Sequence, residues 1–398
     1  MPTLNNPAND VSLFDTPSIA SKLPQVGTTI FTLMSALAAE KKAVNLGQGF
    51  PDFDCDPALL DAVTLAMKNG FNQYPPMTGV PALREAIALK IESIYGHRYN
   101  PQSEITITAG ATQALLTSIL CCVRTGDEVI VIEPAFDSYL PAIALAGGKA
   151  VCVQMEVDES GYAVPWDKVA AAITNKTRLI LINSPHNPTG SILRASDLQK
   201  LADIVRGTDI LLLSDEVYEH MVYDGMQHES VCRHPELAAR TFVVSSFGKT
   251  YHVTGWKIGY VAAPAELMKE FHKVHQFSLF SVNTPMQHAI AAYMANPQPY
   301  LTLPTFYQRK RDLFRDGLAN TRFKLLPADG TYFQCVDYRA ISDLPENDFA
   351  QWLTAEIGVA AIPVSAFYNE PKNSGIVRFC FAKKEETLKT ALERLSKI

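Results

Sequence analysis

Two rhythms of apolar residues run along this chain. From about residue 54 to 300, short apolar runs of strand length alternate with stretches of helical periodicity. The runs are Ile105–Thr108, Glu128–Ile132, Lys149–Gln154, Arg178–Ile182, Ile210–Leu213, Thr241–Val244 and Ile258–Ala262. Helical patterns fill residues 112–124, 195–206 and 265–275. Near-continuous apolar strands alternating with helices predict a mostly parallel sheet covered on both faces. After about residue 300 the rhythm changes. A helical stretch from Phe306 to Asn320 precedes alternating runs at Tyr332–Val336 and Ile376–Phe381, and a final amphipathic helix carries Leu388, Leu392 and Leu395. That pattern predicts a smaller α+β domain.

The N-terminal part reads differently. Residues 1–28, rich in Pro, Asn, Ser and Thr, read as an arm. A helix is expected from Phe31 to Glu40, with Phe31, Met34, Leu37 and Ala38 on one face, then a short strand from Ala43 to Leu46 and a turn from Gly47 to Asp52. The segment 28–50 is expected to join the small domain. No internal repeat or low-complexity tract is visible.

Composition narrows the classes. Of 398 residues, 47% are apolar and 19% charged, which fits a globular protein and excludes wholesale disorder. The 35 basic and 41 acidic side chains give a net charge of −6, which supplies no drive toward nucleic acid or an anionic membrane. No apolar stretch is long enough to span a bilayer. The opening MPTLNNPANDVSLFDTPS lacks the basic and apolar regions of a signal peptide. The seven cysteines are irregularly spaced without a C-x-x-C, so a reduced, cytoplasmic setting is expected. His228, Cys232 and His234 are close in sequence, but a surface loop explains them better than a metal site, and no metal is expected.

Ligands of an open parallel sheet bind at the carboxyl ends of its strands. Four polar segments fall there. In Thr108-Ala109-Gly110-Ala111-Thr112 a strand turns into a helix, whose free N–H groups suit an anion; an ordinary turn capped by Thr112 is the plainer reading. Asn183-Ser184-Pro185-His186-Asn187-Pro188-Thr189-Gly190 is a constrained loop with two Asn, and cis peptides fit it. Asp215 closes the apolar run Ile210–Leu213, so its carboxylate needs a cationic partner or serves to cap a helix, and Tyr218 can share its face. The fourth is Ser245-Ser246-Phe247-Gly248-Lys249-Thr250. A P-loop would need Gly where Val243 stands. Ser246-x-x-Lys249 matches the motif of serine acyl-transferring enzymes, but its companions S-D-N and K-T-G are absent. The remaining chemical reading is a lysine that forms a Schiff base with an aldehyde cofactor. A lysine, a carboxylate, a phenol and a phosphate-type helix start, all at strand ends, are together what pyridoxal 5′-phosphate requires.

The sequence resembles the fold-type I, class I aminotransferases, within them the methionine and kynurenine aminotransferase branch. The resemblance rests on NLGQGFPDF (45–53), NQYPPMTGVPALREAI (72–87), TAGATQAL (108–115), EPAFDSY (133–139), NSPHNPTG (183–190), SDEVYEH (214–220), SSFGKTYHVTGWKIGY (245–260), FSVNTP (280–285), GTYF (330–333) and VRFCFA (377–382). It implies an α/β protein whose large domain holds a mostly parallel seven-stranded sheet, with a smaller α+β domain. Residues 1–50 would be an arm and small-domain segment, 51–300 the cofactor domain, and 301–398 the C-terminal small domain.

By the same resemblance, Lys249 binds the cofactor aldehyde and shuttles the substrate proton, and Asp215 pairs with the pyridinium nitrogen. Tyr218 and Asn187 hold its phenolic oxygen, and Phe136 stacks on the ring. Gly110, Ala111 and Thr112, with Ser246 and Lys257, hold the phosphate, which Tyr74 of a neighbouring subunit reaches, implying a homodimer with shared sites. Lys257 stands where many aminotransferases have Arg, and a point charge grips less directionally. Arg378 binds the α-carboxylate, helped by Asn187 and the Gly49 backbone. Phe31, Tyr332, and Tyr74 and Phe280 from a partner would surround the side chain. With no Arg in 278–285, methionine, aromatic amino acids, kynurenine or glutamine are the expected donors to a 2-oxo acid, by a ping-pong reaction. Two alternatives stand beside this: a cysteine-S-conjugate β-lyase with the same cofactor, and a non-catalytic cofactor-binding regulator, against which the short arm and acidic charge weigh.

Overall fold

The computed structural model describes residues 19–370 and 372–398. Most of the expected arm therefore lies outside the described residues. Seven strands form the central sheet: β1 (Ile105–Thr108), β2 (Glu128–Glu133), β3 (Lys149–Gln154), β4 (Thr177–Asn183), β5 (Leu211–Asp215), β6 (Thr241–Ser246) and β7 (Gly259–Ala262). They are the seven apolar runs of the sequence. Their order is β1-β7-β6-β5-β4-β2-β3, and only β7 is antiparallel to its neighbours.

Both faces are buried, which is why the strands read as continuous apolar runs. Ile130, Ile132, Ile180, Ile182 and Leu212 enter one core; Val129, Val131, Leu179, Leu181 and Leu213, one residue out of phase, enter another. Helices Gly110–Cys122 and Ala265–Ser278 cover the second face.

Four strands reach further than expected, β2 by one residue to Glu133. β4 runs to Asn183, β5 to Asp215 and β6 to Ser246, so these polar residues are the last rungs of the sheet rather than the loops after it. Register sets them side by side: Asn183 opposite Asp215, Asp215 opposite Val244, Gly259 opposite both Ser246 and Thr108.

The C-terminal part builds a four-stranded antiparallel sheet from Lys324–Leu325, Phe333–Asp337, Ile362–Pro363 and Ile376–Cys380. Its helix Glu385–Leu395 buries Leu388 and Leu395. The helix Ile30–Glu40 buries Met34 and Ala38, and Met34 clusters with Ala350, Ile362 and Phe367. Val44 and Asn45 pair in parallel with Val359 and Ala360.

All seven cysteines are free. His228 and Cys232 belong to the interior and not to a surface loop: His228 Nε2 lies 2.8 Å from Glu216, and Cys232 packs against Tyr99. No group of metal-ligating side chains, and no helix long and apolar enough to cross a membrane, occurs among the described residues.

Candidate active site

A cavity of about 360 Å³ opens at the carboxyl ends of the strands. Its walls include Phe31, Gly49, Gly110, Ala111, Thr112, Phe136, Asn187, Asp215, Tyr218, Ser246, Lys249, Lys257 and Arg378. These side chains come from positions spread between residues 31 and 378.

Lys249 sits on the four-residue helix that follows β6. Its Nζ donates to Gly49 O at 3.0 Å and Tyr332 Oη at 2.7 Å, with no carboxylate in hydrogen-bond reach. Loss of water pushes the amine down to about 8, and the nearby Arg378 and Lys257 cations act in the same direction. Tyr332 Oη also donates to Gly49 O. Tyr332 itself is fully buried behind the wall, and Phe333 lines the cavity in its place.

Asp215 is buried and receives two hydrogen bonds: Tyr139 Oη at 2.7 Å and Val217 N at 3.3 Å. Burial still pushes its carboxyl up to about 6, the donors pulling it part of the way back. No helix follows Asp215, so it caps none. Burial pushes the Tyr218 phenol up as well. Asn183 Nδ2 donates to Asp215 O at 2.8 Å and its Oδ1 accepts Asn187 N at 2.8 Å, locking the 183–190 loop to β5. The Ser184–Pro185 and Asn187–Pro188 peptides of that loop are cis.

The helix Gly110–Cys122 begins at the cavity wall. Its cap residue is Ala109, which has no side chain to bond the first N–H groups, and Thr112 lies inside the helix. Gly110 has φ +74°, a left-handed conformation that glycine tolerates. A Cβ there would lie 3.4 Å from Lys257 Nζ, so an ammonium stands at the helix start. A Cβ on Gly259 would lie 2.7 Å from Ser245 O and 3.1 Å from Ala111 N, so only glycine lets strand and helix start approach so closely. Free N–H groups, a lysine and Ser246 make an anion cradle.

Arg378 is 1% exposed. Its Nη1 donates to Asn187 Oδ1 at 2.7 Å and its Nη2 to Gly47 O at 3.1 Å, while Nε has no partner. Its guanidinium lies 3.8 Å from the centre of the Phe333 ring. A buried cation without a carboxylate is costly, and this one is set to receive an anion from the cavity.

Two expected residues are elsewhere. Tyr74 is 80% exposed, and Phe280 has φ +72°; their rings meet edge to face at 5.3 Å, outside the cavity lining. The sequence reading missed Tyr139, Asn183 and Asp137. The first and last lie in the EPAFDSY segment and Asn183 opens NSPHNPTG, so a signal existed for each. What it lacked was their contacts.

Comparison with known proteins agrees with this geometry. Residues 41–395 match the family described as aminotransferase class I and II. The chain is 51% identical to methionine aminotransferase of Escherichia coli over 95% of this chain and 98% of that one. It is 39% identical to a probable N-succinyldiaminopimelate aminotransferase of Mycobacterium tuberculosis, over 94% and 97%. With human kynurenine–oxoglutarate transaminase 1 it shares 35%, over 91% and 93%. A crystal structure from E. coli, described as identifying a methionine aminotransferase function, superposes with a TM-score of 0.94 at 50% identity, covering 96% of this chain and 100% of that one.

Proposed function

This chain belongs to the class I and II aminotransferases and is an enzyme, and from that premise we propose that it moves the α-amino group of methionine to a 2-oxo acid, using pyridoxal 5′-phosphate. Aromatic amino acids, kynurenine and glutamine are further donors in this reading. The observation that carries it is the pairing, in one cavity, of a lysine amine near neutrality with a buried arginine whose Nε has no partner.

The residues fit the cofactor that this family uses in general. The uncapped helix start at Gly110, Ala111 and Thr112, with Lys257 and Ser246, would hold its phosphate. Asp215 would hold the proton on its ring nitrogen, and Tyr218 and Asn187 its phenolic oxygen, with Phe136 against the ring. When bound, it supplies an aldehyde for the amine and a ring that withdraws electrons from the substrate carbon. The rest is the work of this chain. Arg378 takes the α-carboxylate in its fork and fixes the Cα–H bond toward Lys249. Lys249 Nζ, its amine pushed down to about 8, removes the Cα proton and later returns one. Asn183 keeps Asn187 in place for Arg378.

Phe31 and Phe333, the latter in the wall where Tyr332 was expected, supply apolar surface for an uncharged side chain. The exposed pair Tyr74 and Phe280, and Phe277 at 89% exposure, support a homodimer in which the first two complete the partner's cavity. Free cysteines support a cytoplasmic setting. The parallel pairing of Val44–Asn45 with Val359–Ala360 supports a division into a 1–50 arm and small-domain segment, a 51–300 cofactor domain and a 301–398 small domain.

The test is an absorbance spectrum of the protein loaded with pyridoxal 5′-phosphate, before and after methionine. Loss of the visible band, with release of the 2-oxo acid of methionine, is expected. No band after loading would sink the cofactor reading. A band that methionine leaves unchanged, but aspartate bleaches, would sink the substrate reading.

A further inference from the structure

The cavity holds a second carboxylate that the reaction does not use. Asp137 lines it together with Arg378, Phe31 and Gln48, one residue after Phe136 and two before Tyr139. Asp215 is held by Tyr139 and Val217, but Asp137 forms no ion pair among the described residues. The three cations of the cavity already have their tasks. Lys249 bonds Gly49 and Tyr332, Lys257 stands at the helix start, and Arg378 is anchored by Asn187 and Gly47.

We propose that Asp137 is a specificity-determining residue, which disfavours amino acids and 2-oxo acids with a second carboxylate and favours neutral side chains that can donate a hydrogen bond. This rests on the aminotransferase reading of the cavity. A substrate bound by its α-carboxylate to Arg378 projects its side chain into a space with no uncommitted cation and with Asp137, whose carboxylate accepts only from its own N–H and from Ser138. A second carboxylate meets like charge there; an amide or an aniline N–H meets an acceptor. Burial raises the Asp137 carboxyl and the Arg378 guanidinium draws it back down, which agrees with a carboxylate that feels the substrate-binding arginine.

The same wall serves both halves of the exchange. The donor's C–N bond becomes C=O as the acceptor's C=O becomes C–N, with no net oxidant. The acceptor preference should therefore follow the donor preference: 2-oxo acids with one carboxylate over those with two. The human relative is named for oxoglutarate, a dicarboxylate, so a preference is expected here and not an exclusion.

The experiment compares glutamine with glutamate, which differ only in a terminal carboxamide or carboxylate, hence in charge and in N–H donors. For the cofactor-loaded wild type, kcat/KM should favour glutamine, and the ratio should shrink as salt is added. Asp137→Asn should shrink it about fivefold, the scale of one solvent-reached charge pair, and Asp137→Glu should retain it. Binding of succinate against its monoamide, by calorimetry, should shift the same way without turnover. A ratio indifferent to Asp137→Asn and to salt would overturn the proposal, as would equal loss of both substrates. If the wild type transaminates no amino acid, the aminotransferase reading fails instead, and the two failures are distinguishable.

Discussion

The segment Ser214–His220 serves two regions that treat buried charge in opposite ways. Toward the cavity it presents Asp215 and Tyr218. Away from it, Glu216 and Glu219 enter a closed network. Glu219 accepts Lys90 Nζ, Tyr95 Oη and Ser245 Oγ, each at 2.6 Å, and Tyr260 Oη at 3.1 Å. Glu216 accepts Ser214 Oγ at 2.8 Å and Val231 N at 3.2 Å, with His228 Nε2 2.8 Å away. Burial alone would raise the Glu219 carboxyl, but the Lys90 ammonium and the donated hydrogen bonds outweigh it and hold the group below the usual range. Across the sheet, Lys249 is pushed down to about 8 and Asp215 up to about 6, and Arg378 Nε has no partner. Both regions are dry and charged. In one the carboxylates are saturated by donors of the chain itself, and the other has been left for a ligand to complete.

The sharpest way to break that contrast is to remove one charge from each side. Lys249→Ala should lower kcat for methionine by about 10⁴-fold, as loss of a positioned proton carrier does at the upper end. Its unfolding midpoint should stay the same or rise, because a desolvated cation is gone. A variant that keeps a tenth of its activity would remove Lys249 from the reaction. Glu219→Gln should do the reverse. It leaves Lys90 buried and unpaired, at a cost of about 3–5 kcal/mol in unfolding free energy, read by denaturant titration. A loss below 1 kcal/mol would mean that the network is not structural. The double change Lys90→Met with Glu219→Leu should recover much of the loss, since a buried pair can be replaced by apolar side chains.

Arg378→Lys tests the open side more gently. The charge stays, but the planar fork goes. Losing one hydrogen bond to a charged group costs about 1.5–3 kcal/mol, roughly 10- to 150-fold in kcat/KM. The effect should fall on methionine and on every other α-amino acid alike, because the α-carboxylate is common to all. An effect confined to one side chain would place Arg378 in the side-chain pocket.

How much of this was legible in the sequence depends on range. The seven strands could be read because alternate residues of each strand enter two different cores, which leaves an uninterrupted apolar run. Lys249 and Asp215 stood out because a polar residue at the end of such a run is conspicuous, and Gly110 because a strand turns into a helix there. Strand ends were less legible: Asp215 and Ser246 are polar and look like loop, yet their backbones complete the ladder. Arg378 could be found only by resemblance, since it lies in an apolar strand of another sheet and nothing local marks it. Tyr139 drew no reading of its own, and its bond to Asp215 spans 76 positions, which no periodicity reveals. The saturated network was invisible for the same reason: Lys90, Glu219 and Tyr260 come from three separate elements.

The smallest test concerns that Tyr139 bond and uses the sign of the titration. In the cofactor-free protein, burial pushes the Asp215 carboxyl up to about 6, whereas in the unfolded chain it keeps the ordinary value of 3.8. Between those values the folded state binds more protons than the unfolded one, so Asp215 makes stability fall as pH rises. Lys249 acts at the other end: between about 8 and the ordinary lysine value of 10.5 the unfolded chain holds more protons, so stability rises with pH there. Glu219, held low, opposes Asp215 at the acid end, because its contribution is present above the ordinary glutamate value of 4.5 and is lost as pH falls. The Asp215 contribution is isolated as the difference between the wild type and Asp215→Asn. Tyr139→Phe deletes a donor that stabilises the carboxylate, worth about 1.5 kcal/mol or one pKa unit. In that variant the falling limb should extend upward by about one pH unit, again measured against Asp215→Asn in the same background. A limb that does not move would mean that the Tyr139 hydroxyl is not the group that restrains Asp215, and that this side of the segment is as indifferent to its neighbours as the saturated side is dependent on them.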